Sequence, residues 1–73
     1  MSKLPQVSGS DVVDALQKFG FTVRRQHGRH IIMRRGDPFA QTVVPDHRQI
    51  DRGTLRAILR QAGITAEDFV KLL

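Results

Sequence analysis

The chain has 73 residues, twelve Lys and Arg against seven Asp and Glu for a formal charge of +5, and no cysteine. So short a chain forms one domain, residues 1–73, and buries little more than half of the surface its unfolded form exposes, which excludes a deep cavity and leaves no cofactor expected. Without Cys there is neither a disulfide framework nor a thiolate metal site. Apolar runs such as Ile31 to Met33 fall far short of a membrane span, and Met1-Ser2-Lys3-Leu4-Pro5 has no apolar signal core, so a soluble, unprocessed, cytoplasmic protein is expected. Nine of the twelve basic residues are Arg, whose planar fork suits phosphate, and a polyanion is the natural partner.

Ser8-Gly9-Ser10-Asp11 is a capping box, a hydroxyl followed three residues on by an acid. Val12, Ala15, Leu16 and Phe19 follow at helical spacing, so a helix is expected at about residues 9 to 19, with Asp14 and Lys18 able to pair across a turn and Gly20 as its stop. Phe21 and Val23 then alternate with Thr22 and Arg24, which predicts a half-buried strand to about Gln26. His27-Gly28-Arg29 reads as a tight hairpin turn, His30 to Arg35 as the returning strand, Gly36-Asp37-Pro38 as a second turn, and Gln41 to Val44 as a third strand closed by Pro45. Asp46 to Arg52 is polar and irregular. Leu55, Ile58, Leu59 and Ala62 mark the buried stripe of a second helix ending at Gly63, and Thr65-Ala66-Glu67-Asp68 is a further capping box for a short helix holding Phe69, Leu72 and Leu73 against the body. The sum is an α+β two-layer sandwich with a three-stranded antiparallel sheet in α-β-β-β-α order and a short C-terminal helix, one sheet face left to solvent.

The basic residues fall into two groups. Arg52, Arg56 and Arg60 recur every four residues on one side of the second helix, where like charges cost a few tenths of a kcal/mol per pair unless neighbours supply acids. Arg24, Arg25, Arg29, Arg34 and Arg35 lie on the first two strands and their turn, and adjacent arginines on a regular strand point to opposite faces. Phe21 and Phe39 read as core residues, and a basic surface without exposed aromatics suits structured RNA better than stacked single-stranded bases. His27, His30 and His47 have neutral-range imidazoles that could serve proton transfer. Their separations of three and seventeen residues do not match the one-turn helical spacing of zincin metal sites, so no metal is expected. A histidine at a strand start is, on these grounds alone, more often structural than catalytic.

Two segments carry a resemblance to a known family. Gly20-Phe21-Thr22-Val23-Arg24-Arg25-Gln26-His27-Gly28-Arg29-His30 is similar to the strand and turn leading to G-S-H in the HicA, or YcfA-like, family. Val43-Val44-Pro45-Asp46-His47 resembles its V-P-x-H, and Gly53-Thr54-Leu55-Arg56-Ala57-Ile58-Leu59-Arg60-Gln61-Ala62-Gly63-Ile64 its G-T-L-R-x-I-L-K-Q-A-G-I. The resemblance spans about Ser8 to Leu73 and implies a dsRBD-like fold and a metal-independent endoribonuclease toxin that cleaves mRNA. It also implies a HicB-type antitoxin partner. By the same alignment His30 is the catalytic histidine, Gly28 the glycine of its turn and His47 a candidate auxiliary. From charge and placement alone, Arg29 is a further candidate auxiliary and Arg24, Arg25, Arg29, Arg52, Arg56 and Arg60 are the candidate RNA-binding residues. Arg29 stands where the family commonly has Ser, replacing a hydroxyl that accepts hydrogen bonds with a cation that cannot. A noncatalytic double-stranded-RNA-binding module, or a basic module that binds an acidic protein, would need the same fold and charge.

Overall fold

The computed structural model describes residues 4–73; the first three residues of the segment read above for a signal core lie outside it. The elements are α1 (Gly9–Lys18), β1 (Thr22–His27), β2 (His30–Gly36), β3 (Phe39–Pro45), α2 (Arg52–Ala62) and α3 (Ala66–Lys71). The strands form one antiparallel sheet in the order β1-β2-β3. This is the α+β, dsRBD-like order expected from the sequence.

Local chemistry explains where the helices start. The Ser8 hydroxyl accepts from the Asp11 N–H at 3.0 Å while the Asp11 carboxylate accepts from the Ser8 N–H at 3.1 Å, so the capping box of α1 is formed in both directions. α2 begins at Asp51, whose carboxylate accepts from the Thr54 N–H at 3.1 Å and from the Thr54 hydroxyl at 2.6 Å. Those two bonds favour the ionised form and lower the Asp51 pKa from its ordinary 3.8. Only half of the box expected at α3 forms: the Thr65 hydroxyl accepts from the Asp68 N–H at 3.1 Å, and the return bond is not found among the described residues.

Packing follows the apolar periods. Val12, Ala15 and Leu16 of α1 and Leu55, Ile58, Leu59 and Ala62 of α2 face Ile31, Met33, Ala40, Thr42 and Val44 of the sheet, with Phe21 and Phe69 buried beside them. Each large side chain so removed from water contributes about 1.5–3 kcal/mol before chain entropy is counted. Thr42, a buried polar residue in this layer, donates its hydroxyl to the Gln61 side-chain carbonyl at 2.8 Å. The polar stretch after β3 is anchored by Ile50, whose N–H donates to the Val7 carbonyl at 2.8 Å in an isolated bridge.

Four local expectations are corrected. Lys18 does not pair with Asp14; its ammonium reaches across to the Leu72 carbonyl at 3.1 Å, tying α1 to the end of α3. Leu73 is 53% exposed, so buried Phe69 and half-buried Leu72, without Leu73, hold α3 against the body. β1 is exposed along its whole length, because it is an edge strand and its register shifts between Val23 and Arg25, leaving Val23 43% exposed. Phe39, expected in the core, is 68% exposed on the open face.

Candidate functional site

The hairpin between β1 and β2 needs only two turn residues. Gly28 takes φ of +56° at the first of them and, among the described residues, no non-glycine residue has positive φ, the pattern of a type II′ turn, which matches the twist of the flanking strands. Nothing lies within 4 Å of where a Gly28 side chain would begin, so the glycine is there for its φ and not for space. This turn places His27 and His30 directly opposite each other across the strands. Paired residues share a face, so the two imidazoles are neighbours on the solvent side of the sheet. Both are exposed. His27, expected within the turn, is instead the last residue of β1, and Gly28-Arg29 alone forms the turn.

The third strand brings the second motif to the same corner. His30 pairs with Pro45, and the Asp46 N–H donates to the Arg29 carbonyl at 2.7 Å. Gln26 donates to the Gly28 carbonyl at 2.9 Å and, at 3.4 Å, to the Asp46 carboxylate. His47 follows in the loop, where its carbonyl accepts from the Gly9 N–H at 2.8 Å. Gly9 allows this approach because any side chain there would collide with the Pro45 carbonyl oxygen and lie 3.0 Å from the Asp46 Cα. Residues 28–30 and 45–47, distant in sequence, therefore meet beside the N-terminus of α1.

Cations line the same face. A regular strand would send Arg24 and Arg25 to opposite sides, but Arg24 is the extra residue of the bulge: Val23 pairs with Met33, and Arg25 with Ile32. Both arginines consequently line one cleft of about 290 Å³ with Ile32, Arg34 and Gln41. No carboxylate lines this cleft, and the only ion pair among the described residues is Lys71 with Asp68 at 4.0 Å, on the exterior of α3. Arg25 stands two residues along the sheet from His30, about 7 Å away by strand rise.

The other arginines separate from this group. Arg35 points to the helix side, where it donates to the Phe19 carbonyl at 3.4 Å and the Ala62 carbonyl at 3.3 Å, and its guanidinium lies 4.7 Å from the Phe21 ring centroid. It joins the C-terminal ends of α1 and α2 and has a structural task. Arg52 donates to the Leu4 carbonyl at 2.8 Å, holding the N-terminal segment. Arg56 and Arg60 border a separate hollow on the helix layer with Leu4, Leu59, Ile64 and Ala66, a lining that includes no sheet residue. The α2 stripe and the His30 corner thus belong to different layers.

A dsRBD-like fold whose bare sheet face carries cross-strand histidines and, among the described residues, arginines without an ion-pair partner defines a small basic α+β module. The family model for the HicA toxin of bacterial toxin-antitoxin systems matches residues 9–64. The chain belongs to this family and is the toxin component of a toxin-antitoxin system. No curated protein matches it closely enough to add to this. No described helix is long and apolar enough to cross a membrane.

Proposed function

We propose that the protein is a metal-independent endoribonuclease that cleaves mRNA at the His30 corner and is held inactive by a HicB-type antitoxin. The observation that carries this reading is the meeting of the two family motifs beside an exposed His30, on a face rich in guanidinium groups. In such cleavage the RNA 2′-hydroxyl attacks the adjacent phosphorus, one group accepts its proton and another protonates the departing 5′-oxygen. His30 is the proposed proton-transfer group; His27, its cross-strand neighbour, and His47 are the candidates for the second transfer. Arg29 and Arg25 would hold the charge that builds on the phosphorane oxygens, a task that fixed cations do without reorganisation.

Arg24 and Arg25 are the proposed phosphate contacts next to the reaction, and Arg52, Arg56 and Arg60 a second basic surface on the other layer. An antitoxin covering the sheet face would block substrate and histidines together, the direct way to silence so small an enzyme. The testing experiment is His30→Ala with purified protein and a labelled mRNA. Cleavage should fall by about a hundredfold to ten-thousandfold, and wild-type cleavage should persist in EDTA and leave a 2′,3′-cyclic phosphate. Full cleavage by a folded His30→Ala protein removes the assignment and favours a noncatalytic RNA-binding role.

A further inference from the structure

Phe39 takes no part in the proposed proton transfers or phosphate contacts. It is the most exposed of the large hydrophobic side chains, at 68%, and it stands on the same sheet face as His30. Its cross-strand partner is Gly36, which has no side chain to cover it. On its other flank the Arg34 guanidinium lies 5.9 Å from the ring centroid, and Arg34 is held there by donating to the Gln41 side-chain oxygen at 3.0 Å. An exposed aromatic ring with a guanidinium over it, beside a hydrogen-bonding amide, provides the groups on which unpaired bases stack.

The register gives the rest of the track. From His30 the open face runs through Ile32 with Val43 and Arg25, then Arg34 with Gln41, and ends at Gly36 with Phe39. Six residues of strand span about 20 Å, enough for roughly three to six nucleotides according to how far the bases are stacked. The cleft lined by Arg24, Arg25 and Arg34 lies between the two ends.

We propose that Phe39, with Arg34 and Gln41, is a stacking subsite for an unpaired nucleobase of the RNA whose scissile phosphate lies at His30. The substrate is therefore single-stranded across the sheet. This inference rests on the ribonuclease reading and reverses the sequence-based preference for structured RNA, which assumed that Phe39 was buried. A protein occupant is less favoured, because three guanidiniums in a cleft without a carboxylate, leading along the same face to an aromatic with Arg34 over it, match a polyanion with flat bases.

The chain has no Trp, so Phe39→Trp places one reporter at the subsite. In a His30→Ala background, which binds without cleaving, a single-stranded RNA octamer should quench that fluorescence, and a blunt duplex of the same sequence should not. Phe39→Ala and Phe39→Leu should each weaken single-strand binding about tenfold or more in fluorescence anisotropy, with duplex binding changed less than twofold and the circular dichroism spectrum kept. Equal quenching by duplex and single strand overturns the proposal, as does unchanged single-strand affinity in Phe39→Ala. A loss confined to antitoxin binding also overturns it, assigning Phe39 to a protein contact. If the wild type cleaves no RNA while single-strand quenching persists, the subsite stands and the nuclease reading falls. If cleavage is normal and quenching absent, the reverse holds.

Discussion

Replacing Arg35 by Ala should lower stability severely, although Arg35 is one of nine arginines in a basic chain. The side chain donates to three carbonyls, at Pro38 (3.0 Å), Phe19 (3.4 Å) and Ala62 (3.3 Å), and covers the Phe21 ring. Hydrogen bonds from a charged donor are worth about 1.5–3 kcal/mol each when short, and the two to helix ends are long, so they stand at the low end. The cation over the ring adds about 0.5–1 kcal/mol. These sum to about 5 kcal/mol or more, from which water reaching the freed carbonyls of this half-buried site and the side-chain entropy no longer lost subtract about 2. A net loss of about 2–4 kcal/mol remains, and in a domain of this size each kcal/mol shifts the melting midpoint by roughly 4–8 °C. A thermal melt followed by circular dichroism should therefore show Arg35→Ala at least about 10 °C below wild type. Arg34→Ala, on the opposite face, should stay within a few degrees of it. Arg35→Lys should fall between, since an ammonium can sit over Phe21 but cannot reach both helix ends. Equal small losses from Arg34→Ala and Arg35→Ala would falsify the division of labour between the two faces.

Gly9→Ala should force the Pro45–Asp46 backbone away and cost about 1–3 kcal/mol, visible in a urea titration; an unchanged midpoint contradicts the close approach. The slope of log K against log[salt] for RNA binding should drop by about one for each of Arg24→Ala and Arg25→Ala, and by less for Arg56→Ala or Arg60→Ala if the RNA lies on the sheet. A larger effect from the α2 pair would move the RNA to the helix layer. Asp51 is held below its ordinary value of 3.8 by Thr54, so its contribution is present above that value and is lost as pH falls through the folded one. The gap in melting temperature between wild type and Asp51→Ala should be open at neutral pH and close below about pH 4; a gap constant from neutral to strongly acid pH refutes it.

The helices were legible because period and caps agree: Ser8 with Asp11, and the stripe Leu55, Ile58, Leu59 and Ala62, are local signals that tertiary contacts reinforce. The strands were legible as elements but not as faces. Val43 and Val44 are both apolar, so nothing nearby decides which one points inward; Ala40, Thr42 and Val44 do, and that parity exposes Phe39. Val23-Arg24-Arg25 contains no glycine to announce a bulge, so the two arginines were assigned to opposite faces. For the site, the motifs pointed to His30 and His47, whereas the pairing of His27 with His30 depends on the turn using two residues instead of three. The fate of Arg35 and Arg52 was invisible, since both satisfy carbonyls far away in sequence.

The bulge at Arg24 has a bearing on how the protein behaves in a crowded cell. A three-stranded sheet cannot close on itself, and the outer side of β1 presents backbone donors and acceptors that another chain could match. The extra residue interrupts that row and bends it, while the two arginines beside it repel an approaching copy of the same edge. Deleting Arg24 would restore an even ladder without moving any other β1 residue to a new face, since Val23 and Arg25 would keep their partners Met33 and Ile32. The fold would survive with a flatter and less charged border. Such a protein should be more prone to aggregate when expressed alone, which makes the irregularity a safeguard against edge-to-edge pairing.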